Sequence, residues 1–255
     1  MAVASYLTVV MPAYNEEPDL LANTALLIGK LRELAVDYEL LIVDDGSRDA
    51  TAGLADGLAE GSERVRVLHH AENMGIGQAL HTGFTNARGE YTIFIPSDLA
   101  MDLDDLPKYL SAARDADVVV GLRSDRRDTS FRRKAVSVIN IALVRLLFRM
   151  PIRQFQYICM YRTRCLQEIQ IEYPDSAFIQ AEVLIKARDM GYKLTEVTIG
   201  YIPRTGGSAS GARIRVVLKS VRDLAHFWVR WLLKPRTADG RKDWRAGVRP
   251  PGAGR

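Results

Sequence analysis

The chain has little of what builds cross-linked or metal-centred proteins: its 255 residues include two cysteines, Cys159 and Cys165, and four histidines. Two cysteines make no disulfide framework, and no Cys or His spacing suits zinc. Both thiols are expected to be small buried apolar groups in a reducing cytoplasm. Long apolar runs are missing too. None approaches the roughly 18 to 20 residues that span a bilayer, and the start, MAVASYLTVVMPAYNE, passes into a strand pattern with no basic leader and cleavage site. The expectation is a chain neither exported nor threaded through a membrane. After the first strand there is no Gly-X-Gly-X-X-Gly loop, since Pro12 to Glu16 stand there, which argues against a Rossmann dehydrogenase. No aromatic-rich basic platform or recognised helix module appears, which argues against nucleic acid as a partner.

What is present suits a globular protein with a real core: 47% of residues are hydrophobic and 26% charged. The net charge of +4 is unevenly spread. Arg and Lys crowd into residues 123–153 and 204–255, while Asp and Glu dominate the first half. That asymmetry suggests a basic face for phosphates or for an anionic surface.

Strand and helix patterns alternate at short intervals. Strands are predicted at Leu7–Met11, Leu40–Val43, Val65–Leu68, Tyr91–Ile95 and Asp117–Val120, with a helix after each of the first four. The fold class is therefore α/β, a mostly parallel central sheet with helices on both faces. Three strands end in polar or acidic turns: Tyr14 and Glu16 after the first, Asp44 and Asp45 after the second, and Asp98 after the fourth. In open α/β sheets ligands bind outside the carboxyl ends of the strands, so these side chains should converge on one ligand-bearing edge. Each has a plainer alternative. Asp98 would cap the turn before the helix at Leu106, Asp44 and Asp45 would form an Asx turn, and Tyr14 would only pack. Asn73, Gly75 and Gly77 are read as shaping a turn. Ser47 or Asp49 is expected to cap the helix through Leu54.

Beyond Gly121 the chain turns basic. An amphipathic helix is predicted over Val136–Arg149, strands over Ile152–Arg162 and Thr195–Ile202, a helix over Ser176–Met190, a flexible loop over Arg204–Gly211, and a second basic amphipathic helix over Arg213–Lys234. From Pro235 the tail is rich in breakers and is expected to be disordered. The division is thus a domain at 1–211, a basic amphipathic helix at 212–234 suited to a membrane interface, and a disordered tail at 235–255. Phe227, Trp228 and Trp231 would be interfacial anchors.

VVMPAYNE, LLIVDDGSRDAT, NMGIGQALHTGF, the strand ending in Asp98, GLR and RTGGSASG occur in the order and spacing of family 2 glycosyltransferases. The chain resembles in particular the dolichol-phosphate (polyprenyl-phosphate) mannosyltransferase branch, over roughly Leu7 to Leu224. That resemblance implies a GT-A fold, a nucleotide-sugar donor of the GDP-mannose or UDP-glucose type, a divalent cation (Mg2+ or Mn2+), and a polyprenyl-phosphate acceptor at the cytoplasmic membrane face. It makes the protein peripheral at the inner, anionic membrane surface. It assigns donor binding to Pro12, Tyr14, Glu16, Asp44, Asp45 and Ser208, the metal to Asp98, and the chemistry to Asp98, Arg123 and Arg204. Those residue types suit the reaction, because charge grows on the leaving diphosphate and guanidinium forks match phosphate oxygens.

The pattern departs from the family in places. Pro96, Ser97 and Asp98 stand where Asp-X-Asp is usual, Ala100 where Gln is common, Gln154 and Gln156 in an otherwise Asp-containing segment, and Ala209 where Lys often follows Ser. Two alternatives follow: a soluble transferase acting on a small-molecule or glycan hydroxyl, or a nucleotide-sugar-binding relative with impaired catalysis. A hydroxyl acceptor needs a general base. The one carboxylate in the right region is Glu182, read as lying on a helix surface or at the core edge.

Overall fold

A computed structural model describes residues 6–123, 131–155, 157–200 and 214–245, with backbone alone for 131–137 and 214–218. The first strand, β1 (Leu7–Ala13), is buried along its whole length, as an apolar run in the middle of a sheet must be. It is followed by α1 (Leu20–Glu33), β2 (Tyr38–Asp44), α2 (Thr51–Glu60), β3 (Val65–His69), α3 (Ile76–Asn86) and β4 (Tyr91–Phe94). A turn of 3-10 helix leads into α4 (Leu106–Ala112) and β5 (Val118–Arg123). Then come α5 (Phe131–Phe148), β6 (Cys159–Arg162), α6 (Thr163–Glu168), α7 (Ile179–Asp189), β7 (Leu194–Ile199) and α8 (Ile214–Leu233).

The seven strands form one sheet in the order β3-β2-β1-β4-β6-β5-β7. Only β6 runs antiparallel, to both β4 and β5. The order reverses beside β1, so the crevice outside β1 and β4 is the topological switch point where ligands settle in such sheets. Alternate residues feed two apolar layers, because successive strand side chains face opposite ways. Leu7, Val9, Met11, Ile93 and Met160 pack under α1 and α4. Val10, Leu41, Val43, Val120 and Tyr161 pack under α3, α5, α7 and α8. This bears out the α/β sheet with helices on both faces.

Several expectations change in detail. Residues 152–155 and 157–158 do not join the sheet as a strand, and β6 is only four residues long. Gly75 takes φ +89°, a backbone that favours glycine, so it does shape the turn before α3. Gly77 lies inside the helix, where a Cβ would come 2.3 Å from the Pro174 carbonyl oxygen; it serves close packing rather than the turn.

The second basic helix is amphipathic, but it does not float free of the core. Phe227 and Trp231 are buried, and Phe227 meets Phe148, Phe178 and Trp244 with ring centroids 5.4–5.5 Å apart. They cannot be interfacial anchors, because their surface is already removed from water by the protein. The disordered tail expected from residue 235 also does not hold through Arg245. Trp244 is 2% exposed, the Gln170 N–H donates to its carbonyl at 2.9 Å, and the Lys242 N–H donates to the Asp189 carbonyl at 3.1 Å. One large aromatic side chain outweighs the breakers around it. Residues 246–255 lie outside the described residues.

Candidate active site

Three turns at the carboxyl edge are stitched to one another by polar side chains. In the turn after β1, the Asn15 N–H donates to Ser47 Oγ at 3.0 Å and the Glu16 N–H to Thr51 Oγ1 at 2.8 Å. In return Arg48 N–H donates to Asn15 Oδ1 at 2.9 Å and Ala50 N–H to Glu17 at 3.1 Å. Asn15 takes φ +54°, a left-handed conformation that asparagine tolerates better than most residues. Pro12 is buried at the end of β1, Tyr14 is exposed and Glu16 is half-buried, so the turn presents an aromatic face and a carboxylate at the rim. The N-cap of α2 is Ala50, so neither Ser47 nor Asp49 stands at the cap; Asp49, one residue ahead, accepts the Thr51 N–H at 3.0 Å, and Ser47 Oγ accepts the Asn15 N–H instead.

Asp44 and Asp45 are both buried, and both are engaged. Asp44 accepts the Ser47 N–H at 3.1 Å through one oxygen and meets His69 Nδ1 at 3.0 Å through the other. Asp45 accepts Met74 N–H at 2.9 Å, Gly75 N–H at 2.7 Å and His70 Nδ1 at 2.7 Å. Asp45 therefore builds the distant turn ahead of α3, a role neither of its two readings gave it, while the local Asx contact expected of the pair is made by Asp44 to Ser47. Asp44 lies directly beside Ala13 in the β1–β2 register, at the floor under the Tyr14 turn. The two histidines are functional candidates that sequence reasoning missed; the signal available was a His-His pair ending a strand next to an Asp-Asp turn.

At β4, Asp98 lies just outside the strand end, at the switch point. Its Oδ1 accepts the Ala100 N–H at 3.1 Å, so it caps its own turn, whereas the cap ahead of α4 is Asp102, which accepts the Asp104 N–H at 3.0 Å. Between them Leu99 is held at φ +45°, a strained setting for a bulky residue, costing on the order of 1–3 kcal/mol. Neighbours hold this turn in place. Asn23 on α1 donates to the Ser97 carbonyl at 2.8 Å, and the Tyr157 hydroxyl donates to the Ala100 carbonyl at 2.5 Å.

Tyr157 also ties in the downstream arginine. The Arg123 guanidinium lies over its ring, 5.7 Å from the centroid, and the Arg123 N–H donates to the buried Gln154 at 3.1 Å. Asp98 and Arg123 thus belong to one connected unit at the same edge of the sheet. Gln154, noted above as a departure from the family pattern, holds the end of β5. Arg204 and Ser208 lie outside the described residues, as does Gln156.

A divalent cation suits Asp98 in kind, since a half-buried, pinned carboxylate is a hard oxygen donor. Among the described residues no group of three His, Cys, Asp or Glu could hold a metal alone. The arrangement fits a cation that takes one carboxylate and fills its other positions with phosphate oxygens and water. Glu182, by contrast, is no candidate base. It is fully buried, paired to Lys186 at 2.6 Å, and it accepts the N–H groups of Glu172 at 2.6 Å and Tyr173 at 3.0 Å. A cavity of about 260 Å³ lies at the opposite edge of the sheet, lined by Arg88, Arg162, Thr163 and Arg164. Arg162 there is already paired with Glu90 and Asp117, and the cavity is remote from the carboxylates described above.

The seven-stranded, mostly parallel sheet with helices on both faces is of the GT-A glycosyltransferase type. Residues 8–184 match the model of Glycosyl transferase family 2, and the chain belongs to that family. It is 31% identical over 219 residues to the undecaprenyl-phosphate 4-deoxy-4-formamido-L-arabinose transferase of Pseudomonas fluorescens (strain SBW25), covering 82% of this chain and 61% of that protein. It is 27% identical over 240 residues to the glycosyltransferase AglD of Haloferax volcanii, covering 90% of this chain and 38% of that protein. The chain thus spans under two thirds of the length of these relatives. Among solved structures, glucosyl-3-phosphoglycerate synthase from Mycobacterium tuberculosis, in complex with Mn2+, UDP and phosphoglyceric acid, shares the fold with a TM-score of 0.63 and 19% identity, over 90% of this chain and 78% of that one.

Proposed function

We propose that this glycosyltransferase moves a hexose, with inversion, from a nucleotide sugar of the GDP-mannose or UDP-glucose type to a polyprenyl phosphate at the cytoplasmic face of a membrane. The observation that carries the reading is the joining of Asp98, just beyond the end of β4, to Arg123, the last residue of β5, through Ala100 and Tyr157. Transfer from a nucleoside diphosphate needs positive charge where negative charge grows, and needs it fixed in advance. Arg123 supplies such a charge on a rigid strand end. Asp98 would hold Mg2+ or Mn2+, which when bound neutralises the leaving diphosphate as a Lewis acid. Arg204 and Ser208 are assigned to the diphosphate by their motif. Pro12, Tyr14, Glu16 and Asp44 form the nucleoside end, with Asp45 supporting the turn behind them.

The acceptor class is supported by the undecaprenyl-phosphate transferases among the relatives and by the state of Glu182. A phosphate oxygen is already anionic at neutral pH and attacks without a base. A hydroxyl acceptor needs one, and Glu182, the carboxylate the sequence offers in that region, is locked in the core.

Peripheral attachment to an anionic membrane is supported by apolar side chains left exposed on two helices. Ile139 and Leu146 on α5 and Val229, Leu232 and Leu233 on α8 are between 48% and 78% exposed. Arg145, Arg222 and Arg230 on the same helices are also exposed, and each basic residue near an anionic leaflet contributes on the order of 1 kcal/mol. Among the described residues no helix is long and apolar enough to cross a membrane.

The test is incubation of purified protein with a panel of nucleotide sugars and polyprenyl phosphate, with and without Mn2+, reading lipid-linked sugar by mass. A lipid-linked hexose is expected. Turnover only on water-soluble acceptors would overturn the acceptor, and nucleotide binding without turnover on any acceptor would overturn the reaction.

A further inference from the structure

His69 closes β3 at the same edge, and both its ring nitrogens face carboxylates. Nδ1 lies 3.0 Å from Asp44 on β2, and Nε2 lies 3.0 Å from Asp56 on α2. An ionised carboxylate only accepts hydrogen bonds, so both contacts are made only when both nitrogens carry protons. The ring here is therefore an imidazolium between two anions. His70 differs. It donates from Nδ1 to Asp45 and accepts at Nε2 from the Thr82 hydroxyl, 2.8 Å away, which a neutral ring satisfies. Of the two histidines only His69 needs a positive charge to keep its contacts.

The connections run onward from Asp44. Its other oxygen holds the Ser47 N–H, and Ser47 Oγ accepts from the Asn15 N–H. We propose that His69 is a positioning residue of the donor site: its doubly protonated ring fixes Asp44, and through Ser47 it sets the Asn15 turn that carries Tyr14 and Glu16. This rests on the reading of that turn as the nucleoside end. A second effect has the same sign. Loss of the proton leaves two carboxylates, Asp44 and Asp56, sharing a single N–H, so the like charges repel and Asp44 is held less firmly. The groups facing His69 are Asp44 from β2 and Asp56 from α2; the hydrogen bond to Asp44 raises its pKa above the ordinary value, Asp56 adds to the rise, and partial burial opposes it. Donor affinity is therefore highest while His69 is protonated and falls as pH rises through its raised pKa.

The experiment is calorimetric titration of the full chain with UDP and GDP at fixed ionic strength, from about pH 6 to about pH 9, for wild type, His69→Gln and Asp56→Asn. The NMR titration of the His69 ring is followed in parallel. Wild type should lose affinity by about five-fold across the range, while H69Q binds weakly throughout and lacks that component. In D56N the His69 midpoint should fall, because one nitrogen no longer faces an anion, and the affinity change should move to lower pH with it. A pH profile and affinity for H69Q that match wild type would overturn the proposal while leaving the nucleotide site intact. If wild type binds neither nucleotide, the donor-site reading falls and this proposal falls with it.

Discussion

The Tyr157 hydroxyl donates to the Ala100 carbonyl at 2.5 Å while its ring lies under the Arg123 guanidinium, so one side chain touches both the turn of Asp98 and the cation proposed to act with it. A small displacement of either charge is costly, because preorganised electrostatics depend on distance. Tyr157→Phe keeps the ring and removes the hydroxyl. Stability should fall by about 1 kcal/mol and turnover by about ten- to a hundred-fold. Steady-state kinetics beside chemical denaturation will check this, and unchanged turnover would mean that the Asp98 turn holds its place unaided.

Asp98 caps its own turn and is proposed to hold the cation, and a single substitution separates the two. Asparagine keeps the oxygen that accepts the Ala100 N–H, so Asp98→Asn preserves the turn and removes only the charge. Melting temperature should stay near that of wild type while turnover drops at least about a hundred-fold. Asp98→Ala should lose both. If D98N retains near-full activity, Asp98 is a cap and the metal reading fails.

The edge carrying Tyr14, Asp44 and Asp98 was legible in the sequence because its signals are local. Apolar strands end within two residues of Pro12 or Pro96, β1 one residue past its proline and β4 two residues short of it, and polar turns follow at once. What was not legible depends on distant contacts. The stretch around Gln154 and Tyr157 has strand-like composition, yet these two side chains serve Arg123 and Ala100 rather than a ladder. The short helix Thr163–Glu168 follows a four-residue strand and has no periodicity long enough to read. Glu182 sits in a helix that is buried all round, so its partners, not its spacing, decide what it does.

The segment after α8 shows the same limit and gives a test. Trp244 lies against Phe227 and donates from its indole nitrogen to Asp189 at 3.3 Å, on the same carboxylate oxygen that Trp231 reaches at 2.7 Å. Trp244→Ala should cost about 3–5 kcal/mol, as large-to-small aromatic substitutions in cores do. Denaturant unfolding will measure it. A loss below about 0.5 kcal/mol, the range of surface substitutions, would return this segment to the disordered tail that its composition suggests.

Lys186 is the point where α7, α8 and that segment meet. Its ammonium donates to Glu182 and to the Gln170 carbonyl, both at 2.6 Å, and lies 4.8 Å from the Trp244 ring centroid and 5.4 Å from that of Phe227. Burial lowers the Lys186 pKa and raises that of Glu182, and their mutual attraction opposes both shifts. Removing one member of such a pair leaves the other charge buried without compensation, which is worse than losing the pair. Lys186→Met should therefore destabilise by about 3–5 kcal/mol. Adding Glu182→Gln should recover a large part of that, since the amide oxygen still accepts a backbone N–H while the orphaned charge is gone. The comparison is made by urea unfolding of the two variants and wild type. Recovery in the double variant assigns the loss to the stranded carboxylate; equal losses would assign it to the ammonium's packing on Phe227 and Trp244.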